Sequence, residues 1–204
     1  QRFTGECVAK VLCEKFGTKV HVGNVNLGFL NRLIVDDLDM LDKSGKQMIR
    51  AARLSVNINL LELANGKIVV SSAQIFGLSA NIYKANATAK LNCQFVIDSL
   101  STEDDTKSTP LDLRINSFIV RRGAIRYDQL DMPYTNGKIN PNHIDLKDIS
   151  SHIILKHLTD NSINLNIKKL SVREASGMVL KNLSLLLKAD KETVELRKLD
   201  LKLN

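Results

Sequence analysis

The chain of 204 residues is 44% hydrophobic and 25% charged, with ten glycines, three prolines and no tryptophan. This composition excludes a disordered, collagen-like or low-complexity chain, and the length allows one domain or at most two small ones. No apolar run approaches the roughly 18 residues that a transmembrane helix needs, and no signal-like segment opens the sequence.

The net charge of +7 indicates an anionic partner without identifying one. Proteins that bind nucleic acids gather their basic residues and interleave them with aromatic side chains that stack on bases. Here the basic residues are scattered, with local pairs such as Arg121–Arg122 and Lys168–Lys169, and aromatic residues make up only 4%. We therefore expect no nucleic-acid partner.

The first predicted element is an amphipathic helix over residues 1–17. Apolar side chains recur there at helical spacing, and charged side chains occupy the other side. Gly17 stands where a left-handed residue ends a helix. Such a helix packs on a sheet or lies on a membrane, and its narrow apolar stripe with charges of both signs favours the sheet. The apolar positions are Phe3, Cys7, Val8, Val11 and Leu12.

The three cysteines, Cys7, Cys13 and Cys93, are an odd number and make no disulfide framework. Within one helix, the first two would lie roughly 9 Å apart along the axis, which is too far for a disulfide. All three are expected to be small apolar residues of the core.

Residues 18–204 change to the two-residue alternation that is typical of half-buried strands. Within this region one pattern recurs: apolar, any, apolar, any, any, apolar, any, apolar. Good copies begin at Val20, Leu33, Ile68, Leu113, Leu165, Met178 and Val194, and a weaker copy begins at Ile144.

The three-residue step in the middle of each copy is informative. Strict alternation would turn the third apolar residue to the opposite face, whereas one extra residue, as in a β-bulge, restores the face and bends the strand. The pattern therefore predicts a mostly β fold, in which a long, bent antiparallel sheet forms an open apolar groove (a β-taco) with one N-terminal helix. A closed sandwich would also alternate. The predicted groove-lining residues are Val20, Val22, Val70, Ile75, Ile115, Val120 and Ile125.

Two connections are longer than simple turns. The segment 101–109 is polar and acidic and is predicted to be a linker within the groove region. Before it, Leu91, Phe95, Val96 and Leu100 have the spacing of a short helix.

The sequence lacks the motifs that carry catalysis. It has no nucleophile elbow, zinc-protease motif, phosphate-binding loop or CxxC pair. His143 with Asp145 and Asp148 resembles a metal cluster, but alternation along a strand does not converge such side chains on one ion. Asp36, Asp37, Asp39 and Asp42 resemble a calcium loop, but the spacing of the acidic residues and glycine does not fit one. We expect no enzymatic activity, no catalytic residues, no cofactor and no metal site.

One stretch carries a family resemblance. Residues 16–25, FGTKVHVGNV, resemble the LGT-x-V-x-V-G-x-V sequence that opens TamB-like proteins of the AsmA superfamily, in particular the Bacteroides-type versions. The resemblance continues through 30–38, 42–45 and 51–54 and extends to about residue 127. Beyond that point it is a resemblance of architecture only.

This resemblance implies the N-terminal fragment of a large periplasmic protein, anchored to the inner membrane by a missing N-terminal segment and acting in outer-membrane biogenesis. Compared with members of that family, the chain is expected to be without the C-terminal domain by which the family is usually defined. The implied partner is phospholipid or another acyl-chain ligand, bound or conducted along the apolar groove. An outer-membrane assembly protein is a further implied partner.

The rival hypothesis is a non-enzymatic β-scaffold that serves the translocation and assembly of outer-membrane or secreted proteins. In that case an open edge strand would pair with an unfolded client, and the groove would be filled by the protein's own helix and side chains.

Overall fold

The structure is a computed structural model, and it describes residues 4–29, 31–59, 61–62, 65, 68–101, 111–135, 137–159 and 162–204. It does not describe the side chains at 68, 100, 101, 111–115 and 157–159. The predicted linker at 101–109 therefore lies almost wholly outside the described residues, and so does the side chain of Ile115.

Ten strands form one open sheet in the order β1-β3-β4-β5-β6-β7-β8-β9-β10, with β2 also paired to β3. The predicted mostly β class with an open sheet is confirmed. The elements are α1 Gly5–Phe16, β1 Val20–Val22, β2 Val25–Gly28, β3 Arg32–Leu41, β4 Gln47–Ile58, β5 Ile68–Lys84, α2 Gln94–Ser101, β6 Leu111–Gln129, β7 His143–Thr159, β8 Ser162–Glu174, β9 Val179–Ala189 and β10 Val194–Leu203.

Helix α1 has a capping residue at each end. The Thr4 hydroxyl accepts from the Cys7 amide at 3.3 Å, and Gly17, at φ 60°, donates its amide to the Cys13 carbonyl at 2.7 Å. These caps satisfy backbone groups that the helix leaves unpaired. The predicted end at Gly17 thus agrees with the structure. The expectation that all three cysteines are core residues is wrong for Cys7, which is exposed because it lies off the face that buries Val8 and Phe16.

Strand β3 shows how a bent strand keeps one face apolar. Leu33, Val35, Leu38 and Met40 are all buried, although a three-residue step separates the second from the third. Asp37, inside that step, has a φ of 55°, in the left-handed region. This one residue reverses the alternation and returns the following side chains to the buried face.

The same device recurs across the sheet. Asp148 and Lys198 adopt φ 55° and 53° within the predicted three-residue steps of β7 and β10. Gly77 and Arg122, at φ 65° and 54°, mark a further step of the same kind in β5 and β6. Gly77 lies opposite Ala52 of β4, between the pairs Ala51–Leu78 and Arg53–Phe76. Several strands therefore bend close to a common line.

The sheet is mostly antiparallel, as predicted, and its one parallel pair among the described strands is β5 with β6. Parallel neighbours must both begin at the same end of the sheet, so they require a long crossover connection. Here the crossover runs from Lys84 to Leu111 and contains helix α2. In this register Val70 lies beside Leu113 and Ile75 beside Val120. The short helix predicted between Leu91 and Leu100 is confirmed as α2.

Two apolar clusters lie on one face of the sheet, which we call the inner face. The first cluster joins β1, β3, β4 and β5 to side chains of α1 and α2, including Val8, Phe16, Phe95 and Val96. The second joins β5 to β9 around four buried residues, Val120, Ile149, Val172 and Leu180. Phe118 packs against both clusters and connects them.

We predict that Gly77→Ala destabilises the fold more than Gly137→Ala. The two glycines have nearly equal φ values, 65° and 67°, but a Cβ at Gly77 would lie 3.0 Å from the Ala52 Cβ, whereas Gly137 has nothing within 4 Å. The difference in unfolding free energy, measured with urea, should be roughly 1 kcal/mol because the added methyl crowds a bend in the sheet. Equal effects of the two substitutions would contradict this account of the bend.

Candidate functional site

The inner face is apolar in nearly every row of paired residues. In β7 to β10, Leu155 pairs with Leu165, Leu165 with Leu187, and Leu187 with Leu196. Directly opposed residues of neighbouring strands point to the same face, so each row forms a continuous line of apolar side chains. The parallel row Ile153, Ile167 and Leu185 extends it.

Burial of this face decreases along the chain. Inner-face residues of β1, β3 and β4 lie under or beside α1 and α2 and are buried, whereas those of β8 and β9 are mostly half-buried. In β10 they are more than half exposed, with Leu196 at 55% and Leu199 at 58%. We call the half-buried inner-face residues of β8 and β9 and the exposed ones of β10 the open strip; it comprises Ile163, Leu165, Ile167, Leu170, Leu183, Leu185, Leu187, Val194, Leu196, Leu199, Leu201 and Leu203.

The total surface agrees with an open architecture. The chain exposes 12970 Å². A compact monomer of 22.7 kDa would expose roughly 9,500 Å² by the usual scaling with mass. Exposed apolar surface that is continuous over several strands is typical of a binding surface rather than of an ordinary protein exterior.

The six predicted lining residues with described side chains share the inner face, but none of them belongs to the open strip. Val20, Val22, Val70 and Val120 are buried, at 4–7% exposure. Ile75 and Ile125 are half-buried in the first and second clusters. Helix side chains pack on the first cluster, and side chains of neighbouring strands bury Val120 in the second, so these residues form core. The sequence shows the apolar alternation in β8 to β10. It does not show which copies of the apolar pattern are buried by other elements, because that depends on residues distant in the chain.

The outer face is charged. Two arginine–aspartate pairs cross between β4 and β3, Arg50 with Asp39 at 2.9 Å and Arg53 with Asp36 at 2.6 Å. Further along the sheet the exposed outer side chains are mostly basic, and they include Lys168, Lys169, Lys181 and Lys188. The described side chains of the outer face are therefore much more polar than those of the inner face. The inner face is the one that matches a long apolar ligand.

Asp42 organises one rim of the sheet. Its Oδ1 accepts from the Ser44 amide at 2.9 Å and the Lys46 amide at 3.0 Å, and its Oδ2 accepts from the Tyr83 hydroxyl at 2.7 Å and from Asn92. Burial alone would raise the pKa of this carboxyl, but the hydrogen bonds from Ser44, Tyr83, Lys46 and Asn92 outweigh burial and lower the pKa to about 2. One carboxylate thus ties the β3–β4 turn to the end of β5.

A second carboxylate, Asp128, holds the loop between β6 and β7. It accepts from His143 Nδ1 at 2.9 Å, from Arg126 at 2.8 Å and from the Tyr134 hydroxyl at 2.8 Å, and the Tyr134 ring stacks on His143. His143 Nε2 faces the Met132 carbonyl at 2.8 Å. Both ring nitrogens therefore face acceptors, and the hydrogen bond to Asp128 raises the pKa of His143. These hydrogen bonds hold the loop between β6 and β7 in one conformation.

The residues considered as a metal cluster from the sequence do not converge. His143 is turned to Asp128, while Asp145 pairs with Lys147 at 3.3 Å and Asp148 pairs with Arg173 at 3.4 Å. Across the described parts of the chain, no group of three or more potential ligands is placed to hold a metal ion.

The comparisons with known proteins add no relatives, since no family model and no curated protein matches the chain. Within the residues that the structure describes, no helix is long and apolar enough to cross a membrane.

We predict that Asp42 makes the fold sensitive to acid. Because its pKa in the folded state, about 2, lies below the ordinary 3.8, the folded state binds fewer protons. The stabilisation is complete above the ordinary value and is lost as pH falls through the folded one. This amounts to about 2 kcal/mol of unfolding free energy. Denaturant titrations should show this loss in the wild type and not in Asp42→Asn, which lacks the titrating group.

Tyr83→Phe serves as the graded variant, because it removes one of the hydrogen bonds to Asp42 and keeps the ring. Its loss of stability in acid should lie between those of the wild type and Asp42→Asn. An unchanged acid dependence in Asp42→Asn would show that the carboxylate is not a stabilising centre of this rim.

Proposed function

We propose that the protein binds phospholipid through its acyl chains along the inner face of the sheet and acts without catalysis or a cofactor. The observation that carries this proposal is the open strip, a continuous row of leucine, isoleucine and valine side chains that no described element covers. Acyl chains match such a surface because they offer apolar contact along their whole length and no polar group.

The energetics favour this class of ligand. Each methylene group removed from water contributes about 0.8 kcal/mol of favourable free energy. An acyl chain that lies along several rows of the strip therefore gains a favourable binding free energy from many such groups. A polar ligand on the same strip would lose hydrogen bonds to water without replacement. In the described part of the chain every fully buried side-chain nitrogen or oxygen has a hydrogen-bond partner.

Basic side chains near the rim supply a place for an anionic headgroup. Lys46 lies on the turn after β3, Lys84 is the last residue of β5, and Lys90 lies on the loop that follows. Exposed cations attract phosphate at long range and leave the apolar contacts to provide most of the affinity. The proposed ligand is therefore amphipathic, with its chain on the inner face and its headgroup at an edge of the sheet.

The resemblance of residues 16–25 to TamB-like proteins supports a proposed cellular setting. We place the protein in the periplasm, anchored to the inner membrane in its full-length form, where an open apolar strip would carry phospholipid during outer-membrane biogenesis. The bent sheet with an N-terminal helix is the architecture that this resemblance implied.

A second function is favoured by one observation, the outer edge of β10, with which no described strand pairs. A strand edge that is open along ten residues can pair with an extended polypeptide. A scaffold of this kind would serve protein clients in the translocation and assembly of outer-membrane proteins. The two functions use different groups, since the scaffold uses backbone amides and carbonyls of the edge and lipid binding uses side chains of the face.

Two adjacent leucines give a matched test. Leu185 lies on the inner face, paired with Ile167, and Leu186 lies on the outer face, paired with Asn166; both are half-buried. A photo-crosslinking amino acid at Leu185 should capture phospholipid from vesicles of phosphatidylethanolamine and phosphatidylglycerol, and the same group at Leu186 should not. Mass spectrometry of the adducts identifies what is captured.

The substitutions Leu185→Asp and Leu186→Asp extend the comparison to affinity. The inner-face charge should reduce binding of a fluorescent phospholipid roughly tenfold or more, because a carboxylate in the strip is desolvated by the acyl chain. The outer-face charge should leave binding unchanged, and circular dichroism checks that both variants fold. Equal lipid capture at the two positions, or capture of protein alone at Leu185, would favour the scaffold.

A further inference from the structure

The loop between β6 and β7 is held at two points by one group of side chains. His143 Nε2 faces the carbonyl oxygen of Met132 at 2.8 Å, and Asp128 accepts from the Tyr134 hydroxyl at 2.8 Å. His143 Nδ1 in turn faces Asp128 at 2.9 Å, and the rings of His143 and Tyr134 stack with their centroids 3.7 Å apart. We call Asp128, Tyr134, His143 and the Met132 carbonyl the loop clasp, because the contact between His143 and Asp128 joins its two points.

The contacts of His143 define its protonation state. A neutral imidazole has one donor nitrogen and one acceptor nitrogen, whereas the imidazolium cation has two donors. Both ring nitrogens of His143 face acceptors, a carboxylate and a backbone carbonyl, and the side chain is only 6% exposed. Either neutral tautomer would place a nitrogen lone pair against one of these oxygens. Only the imidazolium satisfies both acceptors.

The charges on the neighbouring strands favour this cation. Asp128 of β6 accepts from the ring, and its hydrogen bond is the largest influence that raises the pKa of His143. Arg126 of β6 opposes the cation but pairs with the same carboxylate at 2.8 Å. Two further carboxylates, Asp145 of β7 and Glu174 of β8, make contacts with other groups.

The loop itself adds few charges. Tyr134, whose ring stacks on His143, is its titratable group in contact with the ring, and the Tyr134 hydroxyl donates to Asp128. Asp131 accepts from the Gln129 side chain at 2.9 Å, and Lys138 is exposed. The carboxylate of Asp128 therefore remains the main partner of the imidazolium.

We propose that the loop clasp is a pH-sensitive switch, in which protonated His143 holds the loop against the end of β6 and loss of this proton releases the loop. The closed loop presents two acceptors to the ring, so closure and proton binding favour each other. The loop carries exposed apolar side chains, Leu130 at 57% and Ile139 at 53%, and the switch controls how firmly this apolar surface is held. The switch does not depend on the proposed binding of phospholipid.

The direction of the pH dependence follows from the raised pKa. The closed loop binds the proton of His143 more tightly than an open loop, in which the pKa returns toward the ordinary 6.5. The stabilisation is therefore complete below the ordinary value and is lost as pH rises through the pKa of the closed loop. Each unit between the two pKa values makes the neutral form open about tenfold more readily than the protonated form.

NMR titration of the histidine ring tests the charge assignment. In the wild-type chain of 204 residues, most molecules should carry protons on both ring nitrogens of His143 at pH 6.5, where an ordinary histidine is half protonated. Asp128→Asn should lower the pKa of His143 by roughly one unit or more, because it removes the charge and keeps the shape. Asp145→Asn is the matched control: Asp145 pairs with Lys147, so its loss should change the pKa of His143 far less.

Hydrogen exchange tests the release of the loop. The Met132 amide donates to the Gln129 carbonyl, and its protection factor already corrects for the intrinsic pH dependence of exchange. From about pH 6 to about pH 9 this factor should fall roughly tenfold in the wild type. In His143→Gln, which cannot titrate, it should not change with pH. The Gly45 amide, which donates to Asp42, is the internal control and should keep a constant factor in both proteins.

Four results would each overturn the proposal. They are a His143 that is mostly neutral at pH 6.5, a pKa of His143 that shifts equally in Asp128→Asn and Asp145→Asn, a protection factor of Met132 that does not change with pH in the wild type, and a pH dependence that persists in His143→Gln. Circular dichroism checks that the variants fold. If Asp128→Asn fails to fold, the wild type and His143→Gln still decide between a switch and a fixed loop.

Discussion

The structure depends on one constraint: long strands must bend while their apolar side chains stay on one face. A residue in the left-handed conformation meets this constraint in β3, β6, β7 and β10, where it is Asp37, Arg122, Asp148 and Lys198 rather than glycine. Each left-handed residue costs roughly 1–2 kcal/mol. Burial of an aliphatic side chain contributes about 1.5–3 kcal/mol, so restoring several such side chains to the inner face outweighs that cost.

The bends create one apolar face, and the helices then divide it. Helices α1 and α2 pack on the N-terminal half and convert inner-face residues such as Val20 and Val70 into core. No described element covers the C-terminal strands in this way, so similar aliphatic side chains, among them Leu185 and Leu199, stay partly exposed. The buried core and the open strip are thus two parts of the same face of the sheet.

The polar residues that matter lie at the rim, where they do not interrupt this face. Asp42 and Asp128 each gather donors from separate segments, and Glu174, at the end of β8, accepts from the Ser176 amide at 2.7 Å and the Asp145 amide at 3.4 Å. All three carboxyls have a lowered pKa because hydrogen bonds to the charged form outweigh burial. Turns held in this way maintain strand register without placing polar groups among the leucines.

The sequence by itself determined what is local and periodic. It determined the helix ending at Gly17, the alternation from Thr18 onward, and the three-residue steps that keep Leu33, Val35, Leu38 and Met40 together, because each depends on residues only a few positions apart. Only the tertiary structure decided that β5 and β6 are parallel, that Asp42 meets Tyr83, and that Val120 is sealed while Leu199 is open. Periodicity records which face a side chain occupies, but it carries no information about which strand or helix lies against that face.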